Sequence, residues 1–131
     1  MAGTLRLEIV TPTGRALDLA AADVRLPSVM GEMDVLPEHR PGLIKLTGGF
    51  VRWGGAQPGE ILIRGGIAEV RPDGLLILAD QAIKPADADR AAALVILEKV
   101  AEGLGGVEFI DDDRLARLTG DRAYAEAVLS L

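Results

Sequence analysis

The segment 24–43, VRLPSVMGEMDVLPEHRPGL, contains the side chains whose types and spacing could do chemistry. Pro27 and Pro37 fix φ and remove backbone donors, so the segment cannot be a helix or a central strand throughout. We expect a strand that ends at Pro27, an exposed loop, a short strand and a rigid turn. The loop carries a small residue, a methionine and two carboxylates: Gly31, Met33, Glu32 and Asp34. Exposed loops on rigid scaffolds commonly make functional contacts, which predicts such a contact here.

Two side chains of this segment allow both a functional and a structural interpretation. Glu32 is either a solvated carboxylate or a contact to a partner. His39 could act as a metal ligand or a base, but it is the only histidine of the chain, which favours a structural role. One alternative function therefore stays open, a small ligand- or metal-binding β-sandwich enzyme that uses Asp34, Glu38 and His39.

Two further features allow a ligand-binding interpretation. Gly65-Gly66 could be a phosphate cradle, but no helix follows to supply a dipole, so a strand bulge or a close approach within a sheet is favoured. Asp111-Asp112-Asp113 could bind a divalent cation, but the run lacks the spaced oxygen ligands and the glycine of a calcium loop. Charge at a helix N-terminus is the favoured interpretation, and no metal site is predicted.

The composition limits the classes of protein to which the chain can belong. Its 131 residues suit one domain, or one domain with an appendage, and the absence of cysteine excludes a disulfide framework and thiolate chemistry. A formal net charge of −6 argues against a nucleic-acid binder, which needs a basic patch. Neither an apolar run of roughly 18 residues nor a signal-peptide pattern is present, so we expect a cytosolic compartment and no membrane insertion.

The elements that must position these residues divide near Lys84-Pro85. Residues 1–84 are rich in glycine, proline and β-branched residues, whereas residues 85–131 are rich in alanine, leucine, glutamate and arginine. The second part holds five Lys and Arg against ten Asp and Glu, a net charge of −5. We therefore predict a β-domain over 1–84 and a helical domain over 85–131.

The N-terminal part is predicted to be all-β. Leu5, Leu7 and Ile9 alternate with Arg6 and Glu8, the pattern of a strand with one solvated face. Apolar segments follow at 43–46, 50–53, 61–63, 67–70 and 75–78, and proline and glycine turns separate several of them. Short strands at such regular spacing predict a sandwich or a barrel.

The C-terminal part is predicted to be helical. Asp87 is the expected N-cap of a helix that runs to about Leu104, where a group of glycines ends it. This helix has one apolar stripe: Ala93, Leu97, Val100 and Leu104. Residues 107–110 are predicted to be extended. Two short helices are expected after them, over 111–118 and 121–131, with a break at Thr119-Gly120.

Four sequence blocks together resemble the epsilon subunit of F-type ATP synthases. They are LEIVTPTGRAL at 7–17, the pattern LP-x3-GE-x2-VLP-x-H-x-P at 26–41, GGIAEV at 65–70 and LLILADQA at 75–82. The second block is the most specific, although Asp34 stands where the family usually has glycine and Ser28 where glycine is common. The last third of the chain matches poorly. The resemblance implies a flattened sandwich of two packed sheets, followed by a C-terminal helical hairpin.

The same resemblance implies a function and partners. It implies a non-catalytic subunit of the rotary central stalk, in a peripheral complex on the cytoplasmic side of the inner membrane. Such a subunit packs beside the gamma subunit and rests on the c-ring, and no cofactor is implied. The residues expected to contact the c-ring or gamma are Gly31, Glu32, Met33 and His39. In many members the C-terminal helices either extend into the catalytic alpha/beta head and block ATP hydrolysis, or fold against the sandwich.

ATP is a further ligand in some epsilon subunits, which bind it through an (Ile/Leu)-Asp-x-x-Arg-Ala motif at the first helix. Asp87, Arg90 and Ala91 match this motif, and Ala86 replaces the large aliphatic residue. Arg90 could pair with phosphate, or it could form an i,i+3 ion pair with a capping Asp87. No further arginine follows Arg90 in the first helix, and phosphate sites normally need several donors. We therefore expect ATP to bind weakly or not at all.

The charge of the C-terminal arm departs from the family pattern, in which basic residues face acidic loops of the head. Residues 107–131 contain three arginines against six acidic residues. Like charges oppose insertion beside an acidic partner, although salt screens much of this cost. We therefore expect the arm to rest against the sandwich with Leu97, Val100 and Leu104 buried, and to inhibit only weakly.

Overall fold

The computed structural model describes residues 3–105 and 110–131. Ten strands come first in these residues, and a 3₁₀ turn over Pro85–Asp87 and two helices follow. The strands are β1 (Leu5–Thr11), β2 (Gly14–Ala21), β3 (Asp23–Ser28), β4 (Gly31–Val35), β5 (Gly42–Leu46), β6 (Gly49–Gly54), β7 (Gly59–Ile63), β8 (Gly66–Arg71), β9 (Gly74–Ala79) and β10 (Ala82–Ile83), and the helices are α1 (Arg90–Leu104) and α2 (Asp112–Leu129). The predicted order of β-structure and then helices is confirmed.

The described strands form one hydrogen-bonded ladder that folds into two layers. One half is β4-β3-β6-β7-β10, and the other is β5-β8-β9-β1-β2. Ser28 of β3 pairs with Leu46 of β5, and this register pair joins the two halves. Neighbouring strands are antiparallel except β1 and β9, which are parallel. The predicted two-layer sandwich is confirmed.

The main core lies between the two layers. On β1 the predicted alternation holds, because Leu5, Leu7 and Ile9 are buried whereas Arg6 is exposed. The other layer contributes side chains such as Val24 and Leu26 to the same buried cluster. This core is almost wholly aliphatic, and each such buried side chain stabilises the fold by about 1.5–3 kcal/mol.

The two helices fold against the outside of the sandwich. They pack on each other, and α2 lies across β6 and β7. A second buried cluster joins all three parts: Leu62 of β7, Ala93 of α1, and Tyr124, Ala125 and Val128 of α2. The structure therefore has the arm in the docked position.

The predicted stripe of α1 is only partly buried. Ala93 and Val100 are buried, and Leu97 packs against the second cluster with part of its surface exposed. Leu104 is 38% exposed, so the prediction that it is buried is wrong. The reason is that Gly103 faces α2 in the last turn of α1, since a Cβ at this position would lie 3.1 Å from the Leu118 side chain.

The predicted break in the C-terminal helix is wrong. α2 runs unbroken through Gly120, which is buried and in contact with Gly48 in the turn between β5 and β6. A Cβ on Gly48 would lie 2.7 Å from the backbone nitrogen of Tyr124, so the glycine lets the helix approach the sandwich closely. This packing offsets the cost of about 1 kcal/mol that a glycine adds inside a helix.

The start of α1 also differs from the prediction. Asp89 is the N-cap, and its carboxylate accepts a hydrogen bond of 3.1 Å from the Ala92 N–H. Asp87 instead closes the 3₁₀ turn, where its N–H donates to the Lys84 carbonyl oxygen at 2.9 Å. Pro85 favours this tight turn because its φ is fixed, and the helix therefore begins later in the chain.

The remaining sequence expectations concern an extended segment, membrane insertion and the division into domains. The segment predicted to be extended, 107–110, lies outside the described residues except for Ile110, which is in no strand. Neither helix of the described chain is long and apolar enough to cross a membrane. The division into domains at residues 84 and 85 stays a prediction, because the helices share a buried cluster with β7.

Candidate contact surfaces

Residues 31–34 form strand β4, so the prediction of a loop is wrong. Leu26 pairs with Met33 and Pro27 with Glu32 in an antiparallel hairpin of β3 and β4. The ladder tolerates Pro27 because β3 pairs with β6 only over residues 23–25. Met33 is half-buried in this strand, whereas Gly31, Glu32 and Asp34 are exposed.

The tip of this hairpin is the two-residue turn Val29-Met30. Met30 is 90% exposed and Val29 is 49% exposed. The hydroxyl of Ser28 accepts a hydrogen bond of 3.1 Å from the Met30 N–H and donates one to the Gly31 carbonyl oxygen. The Val29 N–H donates to the carbonyl oxygen of Lys45 at 3.0 Å. The tip is therefore an apolar surface on a well-anchored turn. The sequence pattern favours Met33 instead, although the glycine after Met30 indicates the turn.

The carboxylates of β4 are paired along the side of the hairpin. The Arg25 guanidinium donates to Asp34 at 3.0 Å and lies 3.8 Å from Glu32. The hydrogen bond to Asp34, and then the charges of both carboxylates, raise the pKa of Arg25 above its ordinary value. All three side chains are more than half exposed, so these ion pairs add little stability.

His39 lies at the opposite end of β4 from the hairpin tip. It borders a groove of about 340 Å³ that is also lined by the turn between β8 and β9. Its Nδ1 is 2.9 Å from the Arg40 carbonyl oxygen, and its backbone N–H donates to Leu36 at 3.1 Å. The structure therefore does not bring His39 together with Gly31 and Glu32.

The residues of the alternative enzyme do not converge in the structure. Asp34 is held by Arg25, and Glu38 is exposed in the turn before His39 with a φ of 68°. Within residues 3–105 and 110–131, no group of three histidine, cysteine or acidic side chains is placed to hold a metal ion. The imidazole contact is to a backbone carbonyl, which agrees with a structural role for His39.

A second exposed apolar surface covers the outer face of β5, β8 and β9. This sheet-face patch consists of Leu43, which is 75% exposed, Ile67 at 47% and Leu78 at 52%. Ile67 pairs with Leu78, which in turn pairs with Val10 of β1, so these side chains are cross-strand neighbours. The patch is absent from the predictions made from the sequence, although the uninterrupted apolar run of β9 is typical of a strand covered on both faces.

Charged side chains border the sheet-face patch along β1 and β2. Arg6 donates two hydrogen bonds of 3.0 Å to Asp18, and Arg15 lies 3.2 Å from Glu8. The hydrogen bond from Arg6 lowers the pKa of the Asp18 carboxyl below its ordinary value. An apolar centre with a charged rim is the usual composition of a protein contact surface.

The suggested nucleotide motif is used for local structure. Arg90 donates to the carbonyl oxygen of Leu129 at 2.9 Å, which ties the start of α1 to the end of α2. Asp87 and Arg90 are both exposed, and the ion pairs of the described chain do not include one between them. Asp89 is occupied as the helix cap.

The two other glycine and aspartate features also have structural roles. Gly65 and Gly66 have φ values of +134° and +141°, and a Cβ on Gly66 would meet the backbone of Leu78 and Ala79. This is the predicted close approach within the sheet. Asp111 caps α2 by accepting a hydrogen bond of 2.7 Å from the Arg114 N–H, as expected for charge at a helix N-terminus.

Comparison with known proteins agrees with this geometry. The family described as ATP synthase, Delta/Epsilon chain, beta-sandwich domain matches residues 4–85. The chain is 35% identical to the ATP synthase epsilon chain of Bordetella parapertussis over 130 residues, which cover 98% of this chain and 86% of the relative. It is 40% identical to the ATP synthase epsilon chain of Herminiimonas arsenicoxydans over 96 residues, which cover 71% of this chain and 69% of the relative.

Two solved structures share the fold. A chain in the cryo-EM structure of the Euglena gracilis mitochondrial ATP synthase, OSCP/F1/c-ring, has a TM-score of 0.72 at 20% identity and covers 97% of this chain and 80% of that one. A chain in the central stalk/c-ring structure of the Tetrahymena thermophila mitochondrial ATP synthase has a TM-score of 0.62 at 12% identity. The likeness covers 97% of this chain and 98% of that one. At these identities the likeness concerns the fold alone.

The sandwich and its match define the class of ATP synthase delta/epsilon β-sandwich proteins. Within that class, the chain belongs to the family of epsilon chains of the F-type ATP synthase. It is a non-catalytic subunit of that enzyme. The similarity to the Bordetella protein covers 98% of the chain, so it includes the C-terminal helices, where the sequence blocks alone matched poorly.

Proposed function

We propose that this epsilon chain couples the catalytic head to the membrane c-ring through the gamma subunit, as part of a peripheral complex on the cytoplasmic side of the membrane. One observation carries the proposal. The rigid sandwich has two exposed apolar surfaces, the hairpin tip at Val29-Met30 on one layer and the sheet-face patch on the other. A subunit that bridges two partners needs two such surfaces.

The hairpin tip is the surface that we assign to the c-ring. Met30 protrudes from a turn that Ser28 and Lys45 hold in place, so its position is fixed before any partner binds. Gly31 and Glu32 lie beside it on β4 and complete the contact with polar groups. Met33 is half-buried and His39 lies at the other end of β4, so neither belongs to this surface.

The sheet-face patch is the surface that we assign to gamma. Its apolar side chains come from three strands of one rigid layer, and the charged residues of β1 and β2 form its border. A flat apolar patch with a charged rim suits a lasting contact between subunits better than a ligand pocket. Torque from gamma would then pass from this layer to the hairpin tip through the backbone contacts that join β3 to β5.

The C-terminal helices have at most a weak regulatory role in this proposal. They are docked on β6 and β7, and Arg64 donates to Asp121 of α2 at 3.1 Å while lying 5.5 Å from the centre of the Tyr124 ring. These contacts favour the docked arm over an arm extended into the alpha/beta head. The acidic charge of the arm acts in the same direction.

Cysteine cross-linking in the assembled ATP synthase tests the two assignments. Met30→Cys should cross-link to a cysteine in the polar loop of the c-ring, and Leu78→Cys should cross-link to gamma. Gln57→Cys is the control, because it is exposed in the turn between β6 and β7, which lies at the end of β3 opposite the hairpin tip and outside the layer that carries the patch. A Met30 variant that cross-links no better than the control would refute the c-ring assignment, and the same result at Leu78 would refute the gamma assignment.

A further inference from the structure

A groove runs between α2 and the outer face of β5 and β8. Its volume is about 400 Å³. Leu43, Ile67 and Ala116 form an apolar floor, and Lys45 and Arg117 lie among the residues around it. The groove is therefore built jointly by the sandwich and by the arm, and it changes if α2 leaves the sandwich.

The charge of the groove is opposite to that of the chain. Lys45, Arg64 and Arg117 line it against a single acidic residue, Asp80, while the whole chain carries a net charge of −6. Arg64 is paired with Asp121 at 3.0 Å. In the described ranges 3–105 and 110–131, neither Lys45 nor Arg117 has a carboxylate oxygen within 4.0 Å. The positive field here is thus available to an acidic partner.

The groove is also continuous with the sheet-face patch. Leu43 and Ile67 belong to both, and Lys45 lies opposite Ile67 in the β5/β8 register. A partner that covers the patch therefore reaches the groove without a gap. Apolar side chains of the partner would pack on the floor of the groove, and its carboxylates would pair with Lys45 and Arg117.

We infer that an acidic segment of gamma with apolar side chains lies in this groove and contacts the sandwich and α2 together. This inference rests on the proposed contact between gamma and the sheet-face patch. Because the groove exists only while α2 is docked, gamma binding and docking of the arm stabilise each other by the same factor. The groove thus provides a route by which gamma holds the arm down.

Charge reversal tests the inference in binding measurements between the full chain and purified gamma. The double variant Lys45→Glu/Arg117→Glu should bind gamma about tenfold more weakly. The control double variant Lys84→Glu/Lys99→Glu makes the same change in net charge at exposed positions outside the groove, and it should bind within about twofold of the wild type. Circular dichroism of both variants checks that they are folded.

The outcomes separate this inference from the proposed function. If the wild type binds gamma and both double variants weaken binding equally, the groove assignment is wrong while the gamma contact stands. If the wild type does not bind gamma, the proposed function fails and this inference fails with it. Self-association of the chain that only the groove variant abolishes would instead assign the groove to a second copy. Slower hydrogen exchange of α2 in the gamma complex is the expected sign of coupling, and unchanged exchange would refute it.

Discussion

Replacement of Gly48 by alanine should release α2 from the sandwich. A Cβ at this position would lie 2.7 Å from the backbone nitrogen of Tyr124 and 2.8 Å from its Cβ, and it would also overlap the carbonyl oxygen of Gly120. These atoms move only with the helix, so no side-chain rotation relieves the overlap. The variant must therefore either displace α2 or shift the turn between β5 and β6.

The expected magnitude follows from the cost of overpacking, which is about 1–3 kcal/mol for an added carbon in a well-packed contact. Gly48 is not among the residues with positive φ, so alanine adds no backbone strain of its own. The cost therefore falls on the docking equilibrium. It corresponds to a decrease of about 5- to 150-fold in the ratio of docked to undocked arm.

Native-state hydrogen exchange measures this ratio directly. Protection of the α2 amides should fall by about 5- to 150-fold in Gly48→Ala, whereas the amides of β1 and β9 keep their protection. Gly42→Ala is the matched control, because a Cβ there meets no atom within 4 Å. Unchanged exchange of α2, or an equal change in the control, would refute the reasoning. A uniform loss of protection in all strands would refute it as well, since it means global destabilisation.

Three further predictions concern the arm. Calorimetry should find weak or no ATP binding to the full chain, because Arg90 is engaged with α2 and lacks supporting arginines; micromolar binding that Arg90→Ala abolishes would contradict this. Deletion of residues 85–131 should change ATP hydrolysis by the reconstituted enzyme by less than about twofold, and a several-fold rise would show that the arm inhibits despite its charge. Asp89→Ala should lower the free energy of unfolding by about 1 kcal/mol because it removes the N-cap, whereas Asp87→Ala should change it by less than about 0.5 kcal/mol; equal effects in thermal or urea unfolding would restore Asp87 as the cap.

Local patterns in the sequence predicted most of the sandwich. The alternation of Leu5, Leu7 and Ile9 requires one buried face, and glycine and proline turns mark where several strands end. These signals depend on the residue itself and its near neighbours, so they can be read without the fold. The block at 26–41 also led to the correct family, although it did not locate the tip of the hairpin.

The candidate surfaces depended more on contacts between distant parts of the chain. The family resemblance assigned Glu32 and His39 together to contact with the c-ring or gamma, but β4 is extended and separates them to its two ends. The glycine after Met30 indicates a turn, but the register of β3 and β4 decides which residues form its tip.

The sequence by itself determined the all-β character of the first part, the helical character of the second, and the family. The tertiary structure alone decided that α2 is unbroken. Gly120 by itself predicts a helix break, and only its close packing against Gly48 explains why the helix continues. It also decided which apolar residues stay exposed, because β5, β8 and β9 meet on one face only after pairing across the sheet. In each case the deciding free energy comes from packing between residues far apart in sequence, which local propensity does not contain.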